Sequence, residues 1–118
     1  MNKEASMDKL YILWTNADII TSRHMVFMYA GNAKRNGWWR DVTIIIWGTS
    51  AELLKNNAQM CEDIAELMSH GVEVIACKAC ADRLGATQTL TNLGIEVEYL
   101  GTYLTDVIKD PAKSLITI

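Results

Sequence analysis

Cys77 and Cys80 are the residues whose type and spacing point most directly to chemistry. They stand three apart in EVIACKACADRLG, residues 73–85, where an apolar run gives way to polar and charged residues. If the apolar run is a strand and KACADR opens a helix, Cys77 falls at the junction. There the first backbone N–H groups of the helix lack intrahelical partners and favour an anion. That position predicts a lowered thiol pKa and more thiolate, the form that attacks disulfides, persulfides and electrophiles; Lys78 and Arg83 add positive charge, and Asp82 works against it. Cys80 shares roughly the same helix face, so the two sulfurs can meet as a disulfide or bridge a transferred sulfur atom.

Other readings of the pair stand beside this one. Both cysteines can be small buried hydrophobes. Half a zinc site would need two more ligands, with Cys61, His24, His70 and carboxylates as the candidates. A redox dithiol also uses C-x-x-C, although here the motif follows the third strand and the sole proline, Pro111, is not placed to face it. Cys61 falls with Ile64, Ala65 and Met68 and reads as core. His24 reads as structural, with a proton shuttle near a thiolate as its functional alternative. His70 precedes a helix-ending glycine, where a cation complements the helix dipole.

The frame that must hold these residues is small. With 118 residues, the chain fits a single domain over 1–118, with 1–8 as a loose N-terminal extension. Half the residues are hydrophobic and the formal net charge is −3, which suits a packed core. The lysines and arginines are scattered and form no aromatic-interleaved patch, so no nucleic-acid partner is expected. The start, MNKEASMDKL, does not read as a secretory signal, and no stretch approaches membrane-spanning length, so no membrane partner is expected either. A cytoplasmic location follows as the default, and there an odd count of cysteines argues for chemistry or burial over a disulfide framework.

KLYILWT (9–15) and DVTIIIWG (41–48) read as buried strands. Between them residues 20–36 are long enough for a helix, stopped at Gly37 with Lys34 and Arg35 in its last turn. The run MVFMYA, residues 25–30, makes that helix apolar nearly all round, so part of it needs cover beyond the sheet, most simply a neighbouring subunit. Trp38 and Trp39 adjoin it, with at least one expected to point outward. Downstream, a helix capped at Thr49 or Ser50, another through Met60 to Met68, strand VEVIA, a short helix in TLTNLG, strand IEVEYL, a helix over 102–109 and strand KSLITI complete the alternation. Such alternation implies a three-layer α/β/α domain with a mainly parallel five-stranded sheet. In open sheets reactive groups gather at the carboxyl ends of strands, which here collects Thr15 and Asn16, residues 48–50, residues 77–80 and residues 101–103.

The run VEVIACKACADRLG, with Cys77, Ala81, Arg83 and Gly85 spaced as C-x-x-x-A-x-R-x-G, resembles the DsrE/DsrF-like sulfur-relay family. LYILWT, IIIWGTSAELL and LGIEVEYLG occur in the matching order, so the likeness runs from about Lys9 to the C-terminus. The resemblance implies a flavodoxin-like fold, assembly into trimers or hexamers, and a cysteine that accepts sulfane sulfur as a persulfide and passes it on. By position that cysteine is Cys77. The chain departs from single-cysteine carriers in having Cys80 within the same turn, where it can serve as a resolving thiol that leaves a disulfide. Thr15, Asn16 and Ser50 are expected as a polar rim of the sulfur pocket, and Lys78 and Arg83 as supporting charges. No metal or organic cofactor is required; the loop TNADIITS lacks the glycine that close approach to a phosphate needs. The alternative from another class is a non-enzymatic oligomeric α/β protein that binds a partner or small ligand.

Overall fold

The computed structural model describes residues 8–118; apart from Asp8, the expected N-terminal extension lies outside it. Strands β1 (Lys9–Trp14), β2 (Asp41–Ile46), β3 (Glu73–Cys77), β4 (Glu96–Glu98) and β5 (Lys113–Thr117) form one sheet. All pair in parallel, in the order β4-β3-β2-β1-β5.

Helix α1 is a continuous helical run of three pieces, Ile19–Thr21, Ser22–Phe27 and Met28–Arg35. Helices α2 (Thr49–Asn56) and α3 (Ala58–Ser69) connect β2 to β3, α4 (Lys78–Arg83) and α5 (Thr87–Asn92) connect β3 to β4, and α6 (Gly101–Lys109) leads to β5.

The strand order decides which face each helix covers. From β1 to β4 the chain steps one way across the sheet, and right-handed crossovers in one direction lay their helices on one face. The step from β4 back past β1 to β5 reverses direction, so α6 lies on the other. The core follows this division. On the first face Leu10, Ile12, Trp14, Val42, Ile44 and Ile46 pack under α1, α2, α3 and α5. Each fully buried isoleucine or leucine there contributes about 1.5–3 kcal/mol. The second face carries the alternate residues Tyr11, Leu13, Ile45 and Ile75, with Leu100, Tyr103 and Leu104 over them. A single helix does not cover it: β1 alternates half-buried and buried residues along its whole length.

Helix α1 differs from the helix expected over 20–36 in containing a π-helical stretch, Ser22–Phe27, in which the Met28 amide reaches back to the Arg23 carbonyl. The wider turn sets Ser22, Val26 and Phe27 all toward the sheet. Ser22 is fully buried and accepts the Trp14 indole N–H at 2.9 Å. The opposite side of α1 is exposed at Ile20, Met25 and Met28, so the apolar run divides into a buried and an open side. Trp38 and Trp39 lie in the turn before β2, not in a strand. Trp38 points outward at 56% exposure, and Trp39 donates its indole N–H to the Tyr29 hydroxyl.

Candidate active site

Cys77 is the last residue of β3 and the N-cap of α4, with extended backbone angles (φ −70°, ψ 118°). Alternation along β3 sends Val74 and Ala76 into the first core and Ile75 and Cys77 to the second face. Helix α4 straddles the sheet edge, with Ala81 buried in the first core and Ala79 and Cys80 packed with Cys77.

The helix must stop after six residues, and Gly85 stops it. Its φ of +69° is a left-handed conformation that glycine adopts without a Cβ penalty. The Gly85 amide bonds the Asp82 carbonyl, and the Ala86 amide bonds the Ala81 carbonyl at 2.8 Å, the paired bonds of a Schellman ending. Ala81 and Gly85 of the sequence pattern therefore shape the helix that carries the cysteines.

The Cys77 sulfur occupies an apolar chamber. Ile45 and Leu100 are buried against it, with Trp47, Tyr103 and Leu104 around them, and Cys77 itself is 5% exposed. This overturns the expectation of a lowered pKa. Burial pushes the Cys77 thiol above its ordinary value, and the adjacent Cys80 thiol adds to the rise. The amides of Cys80 and Ala79 act in the opposite direction, but neither completes a cap hydrogen bond to the sulfur. The helix-tip effect read from the sequence is present; desolvation outweighs it.

Cys80 is half-buried and packs in the same cluster as Cys77, and both thiols are free. Lys78 adds little charge to this pair: its ammonium bonds Asp82 at 2.9 Å and lies 5.7 Å from the centre of the exposed Tyr99 ring. Asp82 is held below its usual range by the Thr87 hydroxyl and by Lys78. Arg83 ends α4 as an exposed residue, about 9 Å along the helix axis from Cys77.

Thr15, Asn16 and Ser50 sit at the same edge of the sheet but are engaged locally. Thr15 donates both its amide and its hydroxyl to the Ile118 carbonyl, closing the crevice between β1 and β5 where the strand order reverses. Asn16 accepts the Asp18 amide at 3.0 Å and shapes the entry to α1. Ser50 is fully buried, donates to the Trp14 carbonyl at 2.7 Å and accepts the Trp47 amide at 3.2 Å, so it ties the ends of β1 and β2 together. Strands β1 and β3 are two places apart, about 10 Å, and no hydrogen bond of these three residues leads to Cys77.

Tyr103 falls in the stretch 101–103 that the sequence places at the carboxyl edge, whereas the chamber residues Ile45 and Leu100 carry no chemical signal. Their signal is the strand parity that Ile45 and Cys77 share, and the spacing of Leu100, Tyr103, Leu104 and Val107 along α6. Tyr103 also borders an open cleft of about 430 Å3, with Thr43, Glu73, Ile75 and Glu96 among its walls. Burial, first, and then Tyr11, Glu73 and Glu96 push the Tyr103 phenol up to about 12, so it is a neutral hydroxyl at physiological pH. This cleft opens at the starts of β3 and β4, away from the end of β3 that carries Cys77, although it shares Ile75 and Tyr103 with the cysteine chamber.

Cys61 is remote from the pair and donates its thiol to the Leu54 carbonyl, and burial raises its pKa. His24 is exposed on α1, and the His70 ring lies against the Glu66 carbonyl at the end of α3. Among the described residues no three His, Cys, Asp or Glu side chains cluster as metal ligands, and no helix is long and apolar enough to cross a membrane.

Comparison with known proteins agrees with this architecture. A conserved protein of unknown function from Bacteroides thetaiotaomicron has a solved structure that superposes with a TM-score of 0.90 at 40% sequence identity, over 94% of this chain and 95% of that one. No curated protein matches significantly. The model of the DsrE/DsrF-like family matches residues 8–117, nearly the whole chain and every element that builds the cysteine chamber, so the chain belongs to the DsrE/DsrF-like family.

Proposed function

We propose that this protein is a cytoplasmic sulfur carrier of sulfurtransferase type, which holds sulfane sulfur as a persulfide on Cys77 and passes it to an acceptor thiol. The observation that carries this reading is the packing of two free thiols, Cys77 and Cys80, into one apolar cluster where β3 gives way to α4. A carrier needs a nucleophilic sulfur, a way to stabilise negative charge on it, and walls that slow loss of the sulfur to stray thiols. The amides of Ala79 and Cys80 work toward the second need, against the burial that outweighs them at the resting thiol, and the chamber of Ile45, Leu100 and Tyr103 meets the third. Cys80 is also placed to discharge the carrier when no acceptor thiol is at hand: its thiolate attacks the inner sulfur of the Cys77 persulfide, expels hydrosulfide and leaves a Cys77–Cys80 disulfide. The working form is a homo-oligomer, trimer or hexamer, joined across the half-covered second face of the sheet, and donor and acceptor proteins dock at the carboxyl edge.

Intact-mass spectrometry after exposure to glutathione persulfide tests the reading. The wild type gains sulfur and returns it to an added thiol, whereas the Cys77→Ser/Cys80→Ser double variant gains none. A wild type that stays unloaded under conditions that load another carrier of the family refutes it. Two free thiols packed together three residues apart also favour a dithiol redox protein. A reduction potential outside the cytosolic range removes that second reading.

A further inference from the structure

Resting on the sulfur-carrier reading, we propose that Cys80 takes the sulfur atom from the donor and that Cys77 receives it in a second, intramolecular step. The two thiols differ in access. Cys77 is 5% exposed and walled by Ile45 and Leu100, while Cys80 stands half-buried at the rim of the same chamber. Displacement at sulfur requires the attacking, transferred and leaving sulfurs to line up, so a donor must bring two sulfurs and its own bulk against the acceptor. Cys80 can meet such a donor from solvent, whereas at Cys77 the donor would have to displace chamber side chains.

The chemistry balances without an oxidant. The Cys80 thiolate attacks the outer sulfur of a donor persulfide, the donor S–S bond breaks, and the donor thiolate leaves with the electron pair and takes up a proton. The Cys77 thiolate then attacks the outer sulfur of the Cys80 persulfide. That S–S bond breaks, Cys80 leaves as a thiolate with the electron pair, and the Cys80 thiolate takes up the proton that Cys77 lost. Burial, which holds Cys77 mostly as the neutral thiol, slows its attack on a donor in solution. It is less of a handicap in the second step, because the Cys80 persulfide is already beside it at high effective concentration. The sulfur ends in the apolar chamber, shielded from stray thiols, and the reverse step returns it to the rim for delivery.

Rapid-quench loading of the full chain with glutathione persulfide, followed by alkylation and peptide mapping, tests the order. In the wild type, sulfur is expected on Cys80 first and on Cys77 later. Cys77→Ser is expected to retain its sulfur on Cys80, with none passed inward, while Cys80→Ser loads at least about tenfold more slowly. The order is overturned if Cys80→Ser loads as fast as the wild type, or if sulfur on Cys77 precedes sulfur on Cys80. Those results leave the carrier reading intact; a wild type that takes up no sulfur ends both. The wild-type time course needs no substitution, so a variant that folds poorly does not block the test.

Discussion

Trp14 donates its indole N–H to the Ser22 hydroxyl at 2.9 Å, and both residues are fully buried. The contact joins the end of β1 to the π-helical start of α1, and the Ser22 hydroxyl continues toward the Asn16 side chain at 3.4 Å. Ser22→Ala would leave a buried indole donor without a partner, at a cost of about 1–3 kcal/mol in urea unfolding. In a double-mutant cycle with Trp14→Phe, the second substitution should cost less than it does alone, because the stranded donor is then gone. Additive effects would show that the hydrogen bond contributes nothing.

A second expectation concerns alkaline pH. The folded Cys77 thiol titrates above 9, the ordinary value, chiefly because it is buried. The fold therefore favours the neutral thiol. The resulting stabilisation is fully present below the unfolded pKa and is lost as pH rises through the folded one. Peptide-mapped alkylation of Cys77 by iodoacetamide should show a midpoint above that of an unfolded control. Leu100→Val, which thins the chamber wall, should lower the midpoint; a fall of half to one unit speeds alkylation at pH 8 by about three- to tenfold. A wild-type midpoint below the control would mean that the amides of Ala79 and Cys80 prevail over burial.

Local patterns made the strands and helix ends legible in the sequence. β-Branched or aromatic apolar runs marked β1, β2 and β3, and Gly37, Gly71 and Gly94 marked helix ends because left-handed backbone at that position calls for glycine. The junction at Cys77 followed from the same grammar. The direction of its titration did not, because desolvation depends on Ile45 from β2 and Leu100 before α6, residues brought together only by the sheet order. The uses of Thr15 and Ser50 were hidden for a like reason: Thr15 meets Ile118 across the whole chain, and Ser50 meets Trp14 thirty-six positions away. The π-helical turn left no periodic trace, since Val26, Ala30 and Ala33 still keep ordinary helical spacing.

The Lys78 ammonium is tied to Asp82 and rests near Tyr99, so it should have little influence on the thiol. Lys78→Met is accordingly expected to leave the alkylation midpoint of Cys77 where it stands in the wild type. A rise of one unit would instead identify Lys78 as an electrostatic support of the thiolate, the role that sequence proximity suggests.

The second face of the sheet sets the last expectation. Tyr11, Leu13, Ile75 and Leu104 are only half-buried there, and Ile108 on α6 is 61% exposed. A partner subunit would remove this apolar surface from water, and a standard interface needs about 800 Å2 from each side. Sedimentation velocity should find the wild type as a trimer or hexamer. Ile108→Asp places a charge in the contact and should shift the protein to monomer with its circular dichroism unchanged. A wild type that is monomeric at every concentration removes the oligomer from the proposal. If Ile108→Asp has no effect but Met28→Asp dissociates the assembly, the subunits meet through the exposed side of α1, where Ile20 and Met28 stand open, and the half-covered sheet face stays free.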